Sequence, residues 1–233
     1  AQILEKERPI IAFGPSDPPL EYLMNLIAIV RDTNCAVTKQ ILDYEPSESN
    51  NWNPTKVESK EDLNTLLAQK LQVNNCIAIQ GPPGTGKTYR MAALSAELLR
   101  QGKSVLVTAL TNQALIELVK KKDLKDFLDA QKVTKTSLTV DESKELPKLQ
   151  PNKKNLCNAA PGYLSLATFY LSSAWAKDAI EIPFDYVIMD EASQALYPMI
   201  AASVKLGNKI IWIGDQYQLP PIVLTGEDVI IRY

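Results

Sequence analysis

The chain has 233 residues, enough for one substantial core with a small appendage, and its 25 Lys and Arg nearly balance its 27 Asp and Glu. That balance excludes a globally basic nucleic-acid binder but leaves local patches open, and the absence of histidine removes His-based proton transfer and His-ligated metals. Cys35, Cys76 and Cys157 lack C-x-x-C spacing, so neither a disulfide framework nor a zinc site is indicated.

Residues 1–60 read as an N-terminal accessory region. Pro9 to Phe13 has strand character, 14–19 is a turn-rich break, and Leu20 to Val30 is apolar enough for a buried helix. A polar, proline-bracketed linker follows over 45–54. From residue 61 to 233 the pattern becomes that of a nucleotide-binding α/β core. Glu61 to Leu71 has helical spacing with acids in its first turn, and within it Asn64 and Gln69 either face water or reach a base edge. Cys76 to Gln80 is a short apolar strand.

Directly after that strand comes Gly81, Pro82, Pro83, Gly84, Thr85, Gly86, Lys87 and Thr88, which fits the P-loop pattern G-x-x-x-x-G-K-[ST]. The glycines let the backbone turn so that successive N–H groups converge on phosphate oxygens. Lys87 is placed to reach the outer phosphates and the Thr88 hydroxyl is a hard ligand suited to Mg²⁺. A helix over 89–101 stopped by Gly102 completes the strand–loop–helix order, and its N-terminus adds positive potential.

Lys103 to Leu110 is a second buried strand, followed by Thr111 and Asn112 and a helix over 113–122. Thr111 and Asn112 suit a helix cap and also a nucleic-acid backbone contact, and the two roles are compatible. Lysines recur from 120 to 154 with little apolar content after Leu128, which reads as a solvated face or mobile loop rather than a phosphate-tracking groove. Strand character resumes from Tyr163 to Thr168.

Phe184 to Met189 is a further buried strand, delivering Asp190 and Glu191 at its carboxyl end, where ligands of open α/β sheets bind. Strand alternation would point the two carboxylates apart. Asp190 can then hold Mg²⁺ while Glu191 orients and deprotonates an attacking water. The last strand, Lys209 to Ile213, leads into Gly214, Asp215, Gln216, Tyr217, Gln218, Leu219 and a rigid Pro220-Pro221, with Gln218 able to hydrogen-bond a γ-phosphate.

Together, the P-loop, Asp-Glu-Ala-Ser-Gln (190–194) and Gly-Asp-Gln-Tyr-Gln-Leu-Pro-Pro (214–221) closely resemble motifs I, II and III of superfamily 1 helicases. The third string resembles the 1B branch, which includes the nonsense-mediated-decay helicase and the Okazaki-fragment helicase-nuclease. The resemblance implies the first RecA-like domain of an ATP-dependent motor that translocates on single-stranded DNA or RNA, using ATP and Mg²⁺. By the same resemblance Lys87, Glu191 and Gln218 are catalytic, Thr88 and Asp190 hold the metal, and Thr111, Asn112 and Thr168 contact the nucleic-acid backbone.

Two departures stand out. The family's adenine-reading Gln, expected after Leu63-Asn64, is replaced by Leu67. The second RecA-like domain with its arginine fingers is not in these residues, so the chain reads as a motor fragment, weakly active or inactive alone. A nucleotide-binding module without turnover and a P-loop ATPase acting on proteins are the competing readings. With no bilayer-spanning run or signal peptide, the expected setting is intracellular, cytoplasmic or nuclear, without a membrane partner; nothing signals an oligomer.

Overall fold

The computed structural model describes residues 20–32, 36, 39, 41, 54–57, 63–152 and 159–218. The strand expected at Pro9–Phe13, most of the 45–54 linker and Leu219 to Pro221 lie outside them. In chain order the elements are α1 (Leu20–Arg31), α2 (Leu63–Val73), β1 (Cys76–Gln80), α3 (Lys87–Arg100), β2 (Val105–Ala109) and α4 (Asn112–Val119). Next come a 3-10 turn (Lys122–Leu124), α5 (Lys125–Asp129), β3 (Val133–Lys135), α6 (Val140–Glu145) and β4 (Gln150–Pro151). The last are β5 (Leu164–Thr168), α7 (Phe169–Asp178), β6 (Phe184–Met189), a 3-10 turn (Ala192–Gln194), α8 (Tyr197–Leu206) and β7 (Gly207–Gly214).

The strands form one seven-stranded sheet in the order β1-β7-β6-β2-β5-β3-β4. Every pairing is parallel. An all-parallel sheet needs both faces covered, which is why its central strands are apolar on consecutive residues rather than on alternate ones. All five residues of β2 are buried. One face carries α2, α3 and α4, through Leu67, Met91, Leu98, Leu115 and Leu118 packed on Val105, Val107, Leu164 and Ile211. The other carries α1, α7 and α8, through Leu26, Ile29, Ala176 and Ala201 on Leu106, Phe184, Val187 and Ile210. This is the expected α/β arrangement with a parallel sheet between helices.

Local chemistry sets the element ends. Gly102 has φ +73°, and the N–H groups of Gly102 and Lys103 donate to the carbonyls of Leu99 and Leu98 at 3.0 Å each, closing α3 in a Schellman motif. Buried Lys205 of α8 forms an ion pair with Asp32, fastening the end of α1 to the body of the fold.

The lysine-rich stretch departs from the sequence expectation of a solvated face or mobile loop. It contributes β3 and β4 to the sheet, and Leu146 and Leu149 join the core. Lys135, with a side chain only 2% exposed, donates to the Ser137 carbonyl at 2.6 Å and pairs with Glu142 at 3.3 Å. Glu142 also closes a capping box with Thr139 at the start of α6. A lysine so placed reads as surface in composition but acts as a buried tie.

Candidate functional site

Parallel strands bring all their carboxyl ends to one edge, and the sequence-predicted residues gather there. At the end of β1 the Gly81 N–H still donates to the Gly214 carbonyl at 3.0 Å, so the loop departs where the β1–β7 ladder stops. Gly84 and Gly86 take φ of +80° and +78°, left-handed values that strain any residue with a Cβ. The Thr85 hydroxyl donates to the Pro82 carbonyl at 2.7 Å and closes the turn. Gly86 then serves as N-cap of α3, leaving the first N–H groups of that helix directed at the loop. The Lys87 ammonium donates to the carbonyls of Gly81 at 2.5 Å and Pro82 at 3.3 Å. An open cavity of about 350 Å³ lies beside the loop, lined by Gly84, Gly86, Lys87, Thr88, Tyr89 and Lys121.

Two strands away, the Asp190 N–H donates to the Thr108 carbonyl at 2.9 Å, extending the β6–β2 pairing by one bond. Its carboxylate is therefore delivered at the end of the ladder, only 6% exposed. Burial pushes the Asp190 pKa above the usual carboxylate value, helped by the Glu191 charge and opposed by the Glu191 backbone N–H, which donates to Oδ1 at 3.0 Å, and by the Lys87 charge. The field of Lys87 at Asp190 links the loop to the acidic turn.

Strand alternation does not govern Glu191. β6 ends at Met189, and Glu191 sits at φ +53°, ψ +35° as the N-cap of the 3-10 turn. A left-handed conformation at a non-glycine residue costs about 1–2 kcal/mol.

The turn after β7 is joined to both neighbours. Gln80 Nε2 donates to Asp215 Oδ1 at 2.9 Å, and the Gln216 N–H returns a bond to Gln80 Oε1 at 3.1 Å. The Tyr217 N–H also donates to Asp215 Oδ1, at 3.0 Å, and the Asp215 N–H donates to Ser193 Oγ at 3.2 Å. Gln194 Nε2 donates to Gln218 Oε1 at 3.3 Å. Ser193, Gln194 and Asp215 enter the sequence reading only inside the motif strings 190–194 and 214–221, with no role of their own, and Gln80 has none there. The available signal was that each is a polar residue in the first few positions beyond, or at the last position of, an apolar strand.

Thr111, Asn112 and Thr168 lie on the same edge but beside the neighbouring strands. Thr111 is the N-cap of α4, its hydroxyl accepting from the Ala114 N–H at 3.2 Å, and exposed Asn112 is the first helical residue. Thr168 ends β5 in register with Ala109 of β2 and precedes α7 without a side-chain cap bond. The sequence-predicted residues thus form two groups, one on β1-β7-β6 and one on β2-β5. At the position expected for an adenine-reading amide, Leu67 is 3% exposed in the core of α2, while Gln69 faces solvent.

A family model described as an AAA domain matches residues 64–227. The DNA replication ATP-dependent helicase/nuclease DNA2 of Saccharomyces cerevisiae is 28% identical over 200 residues, covering 78% of this chain and 12% of that protein. The corresponding helicase/nuclease of Schizosaccharomyces pombe is 30% identical over 176 residues, 70% of this chain and 12% of its own length. The human DNA2 helicase/nuclease is 32% identical over 157 residues, 64% of this chain and 14% of its own. The chain therefore spans about an eighth of the length of the curated relatives it matches.

Proposed function

The chain belongs to the AAA domain family, and from that premise we propose that it is the nucleotide-binding half of an ATP-driven helicase motor acting on a nucleic-acid strand. The observation that carries the reading is the placement of three chemical centres on three adjacent strands. The P-loop leaves β1, Gln218 follows β7 and the Asp190–Glu191 pair follows β6, with Gln194 and Gln218 joining the last two. The helicase/nuclease names of the relatives support the same conclusion, although those proteins are far longer than this chain.

The donor set fits a magnesium-bound triphosphate. The left-handed glycines and the α3 N-terminus provide a backbone cradle, and Thr88 and Asp190 each offer a hard oxygen at the carboxyl edge of the sheet. Bound Mg²⁺ supplies charge neutralisation to the phosphate oxygens. Lys87 exchanges its loop carbonyls for the outer phosphates, Glu191 accepts the proton of the attacking water, and Gln218 hydrogen-bonds the γ-phosphate and reports its presence to Gln194. Thr111, Asn112 and Thr168 contact the backbone of the strand, and the DNA-replication names of the relatives favour DNA over RNA.

Among the described residues none is assigned as an arginine finger, a group worth roughly 10³–10⁵ in rate for P-loop enzymes. Hydrolysis by the chain alone is accordingly expected to be slow. The deciding experiment is ATPase rate with single-stranded DNA, single-stranded RNA or unfolded protein added, on this chain and on a version extended beyond Tyr233. Strong stimulation of the extended form by one polynucleotide is expected. Stimulation by unfolded protein alone would replace the helicase reading with a protein-directed ATPase.

A further inference from the structure

The cavity beside the P-loop is lined by one cation that the loop does not supply, Lys121. It belongs to the turn that follows α4, and that turn is fixed. The Lys121 N–H donates to the Leu118 carbonyl at 3.1 Å, the Lys121 carbonyl accepts from the Leu124 N–H at 3.1 Å, and Leu124 is fully buried. The 3-10 turn that Leu124 ends packs on α3, and the Lys122 ammonium lies 5.6 Å from the ring centroid of Tyr89 in the first turn of that helix. Lys121 is therefore held at the cavity by its backbone and by the contacts of its neighbours, which leaves its side chain uncommitted.

The two adjacent lysines show the difference. Lys120 pairs with Glu117 at 2.8 Å and with Glu145 at 2.7 Å, and Lys122 is engaged by Tyr89, whose hydrogen bond raises the Lys122 pKa. The Lys121 ammonium has no hydrogen bond or ion pair among the described residues. Its charge is felt at Glu117, where it lowers the carboxyl pKa behind the stronger effect of Lys120. The charges acting on Asp190 are those of Glu191 and Lys87, and Lys121 is not among them. Two cations thus line one cavity, Lys87 within electrostatic reach of the acidic turn and Lys121 beyond it.

We propose that Lys121 is a phosphate-binding residue of this site, holding the phosphates that ATP and ADP share, and that it thereby retains nucleotide both before and after hydrolysis. The proposal rests on the reading of the P-loop as a triphosphate cradle, and it deepens that reading by adding a cation from outside the loop. A lysine binds phosphate as a point charge on a flexible stem, so it needs reach and an unpaired ammonium rather than a fixed fork. The γ-phosphate belongs where Asp190, Glu191 and Gln218 gather, and a cation whose field does not reach Asp190 meets the phosphates nearer the nucleoside. Lys87 must leave the carbonyls of Gly81 and Pro82 to bind an outer phosphate, whereas Lys121 has no such bonds to give up.

The test measures binding of Mg-ATP, Mg-ADP and base-free Mg-tripolyphosphate to the chain, by calorimetry, for wild type, Lys121→Ala, Lys121→Arg and Lys125→Ala. The last removes the same charge from an exposed position outside the cavity lining. Lys121→Ala should weaken all three ligands about fivefold, ATP and ADP alike, with the loss fading as salt is raised to about 0.5 M. Lys121→Arg and Lys125→Ala should stay within about twofold of wild type. Unchanged affinity in Lys121→Ala overturns the proposal, and so does an equal loss in Lys125→Ala, which would make the effect one of net charge. A loss for ATP without one for ADP would move Lys121 to the γ-phosphate and overturns it too, as does a loss that persists at high salt or spares tripolyphosphate. In each of those cases wild-type binding leaves the cradle reading standing. If the wild type binds none of the three ligands, the cradle reading itself fails and the assignment of Lys121 goes with it.

Discussion

Gln194 donates to Gln218 across 3.3 Å although 24 residues separate them, so the turn after β6 and the turn after β7 touch side chain to side chain. Under the proposed function, this contact couples the acidic turn to Gln218. If the version extended beyond Tyr233 is stimulated by single-stranded nucleic acid as proposed, Gln218→Ala in it should lower kcat about a hundredfold with ATP affinity within about threefold of wild type, the pattern of a lost transition-state contact. Gln194→Ala should act in the same direction but less. Steady-state kinetics on both variants and the double variant checks this, because residues working as one unit give a double variant no slower than Gln218→Ala.

Gly214 tests the same junction by volume. A Cβ there would lie 2.9 Å from the backbone nitrogen of Ser193 and 3.1 Å from its hydroxyl oxygen. The nearest obstacle is backbone, which cannot swing aside. Gly214→Ala should therefore cost about 1–3 kcal/mol by overpacking, measured by denaturant unfolding. Gly102→Ala makes the contrast, since a Cβ there meets nothing within 4 Å and only its φ of +73° is unfavourable. Its cost should be about 1–2 kcal/mol.

Asp190 links the site to pH. Burial raises its pKa above the ordinary value of 3.8, so between that value and the raised one the folded chain holds a proton that the unfolded chain has released. Stability then falls as pH rises through that window, and above it the penalty for the buried charge is complete. Asp190→Asn should melt higher than wild type at pH 7 to 8, and the advantage should shrink as pH is lowered toward 3.8. Thermal melts of both proteins across this range decide it, and an advantage independent of pH would count against burial as the cause. The same variant should lose Mg²⁺-dependent hydrolysis, since an amide is a poorer ligand for a hard cation than a carboxylate.

The ion pair of Lys205 with Asp32 has a side-chain exposure of 6% on the lysine and 21% on the aspartate. Removing one partner of a buried pair strands the other, which typically costs about 3–5 kcal/mol, whereas replacing both with apolar residues is often nearly neutral. Lys205→Ala should lower stability by an amount in this range, and Lys205→Met with Asp32→Leu should recover most of it. Urea unfolding of the two variants measures the difference.

The parts of the site legible in the sequence are those whose chemistry fixes a local pattern. Gly84 and Gly86 must be glycine for their φ, Lys87 and Thr88 must follow at once, and Asp190 must directly follow a strand; all of this is written within a few consecutive residues. The Gln80–Asp215–Ser193 connections were not legible, because they join residues 135 and 22 positions apart and depend on which strands the sheet makes neighbours. The same holds for β3 and β4. Their segment has few apolar residues, and the burial of Lys135 is compensated by Glu142 and the Ser137 carbonyl, partners that composition does not reveal. Strand alternation failed at Glu191 because the strand had already ended.

Thr111 carries a role the structure displays and a role proposed for it, and one substitution separates them. Its hydroxyl caps α4 through the Ala114 N–H, so Thr111→Ala should cost about 1 kcal/mol. Aspartate is at least as good an N-cap, and its charge suits the positive end of a helix. Thr111→Asp should therefore hold the melting temperature of the wild type. A strand backbone, however, is a row of phosphates, and a carboxylate at a contact point repels it. Fluorescence anisotropy with labelled single-stranded DNA at low salt should then give about tenfold weaker binding for Thr111→Asp than for wild type. Equal binding by Thr111→Asp and wild type would confine Thr111 to capping and leave Thr168, whose hydroxyl makes no cap bond, as the threonine to test next on this edge.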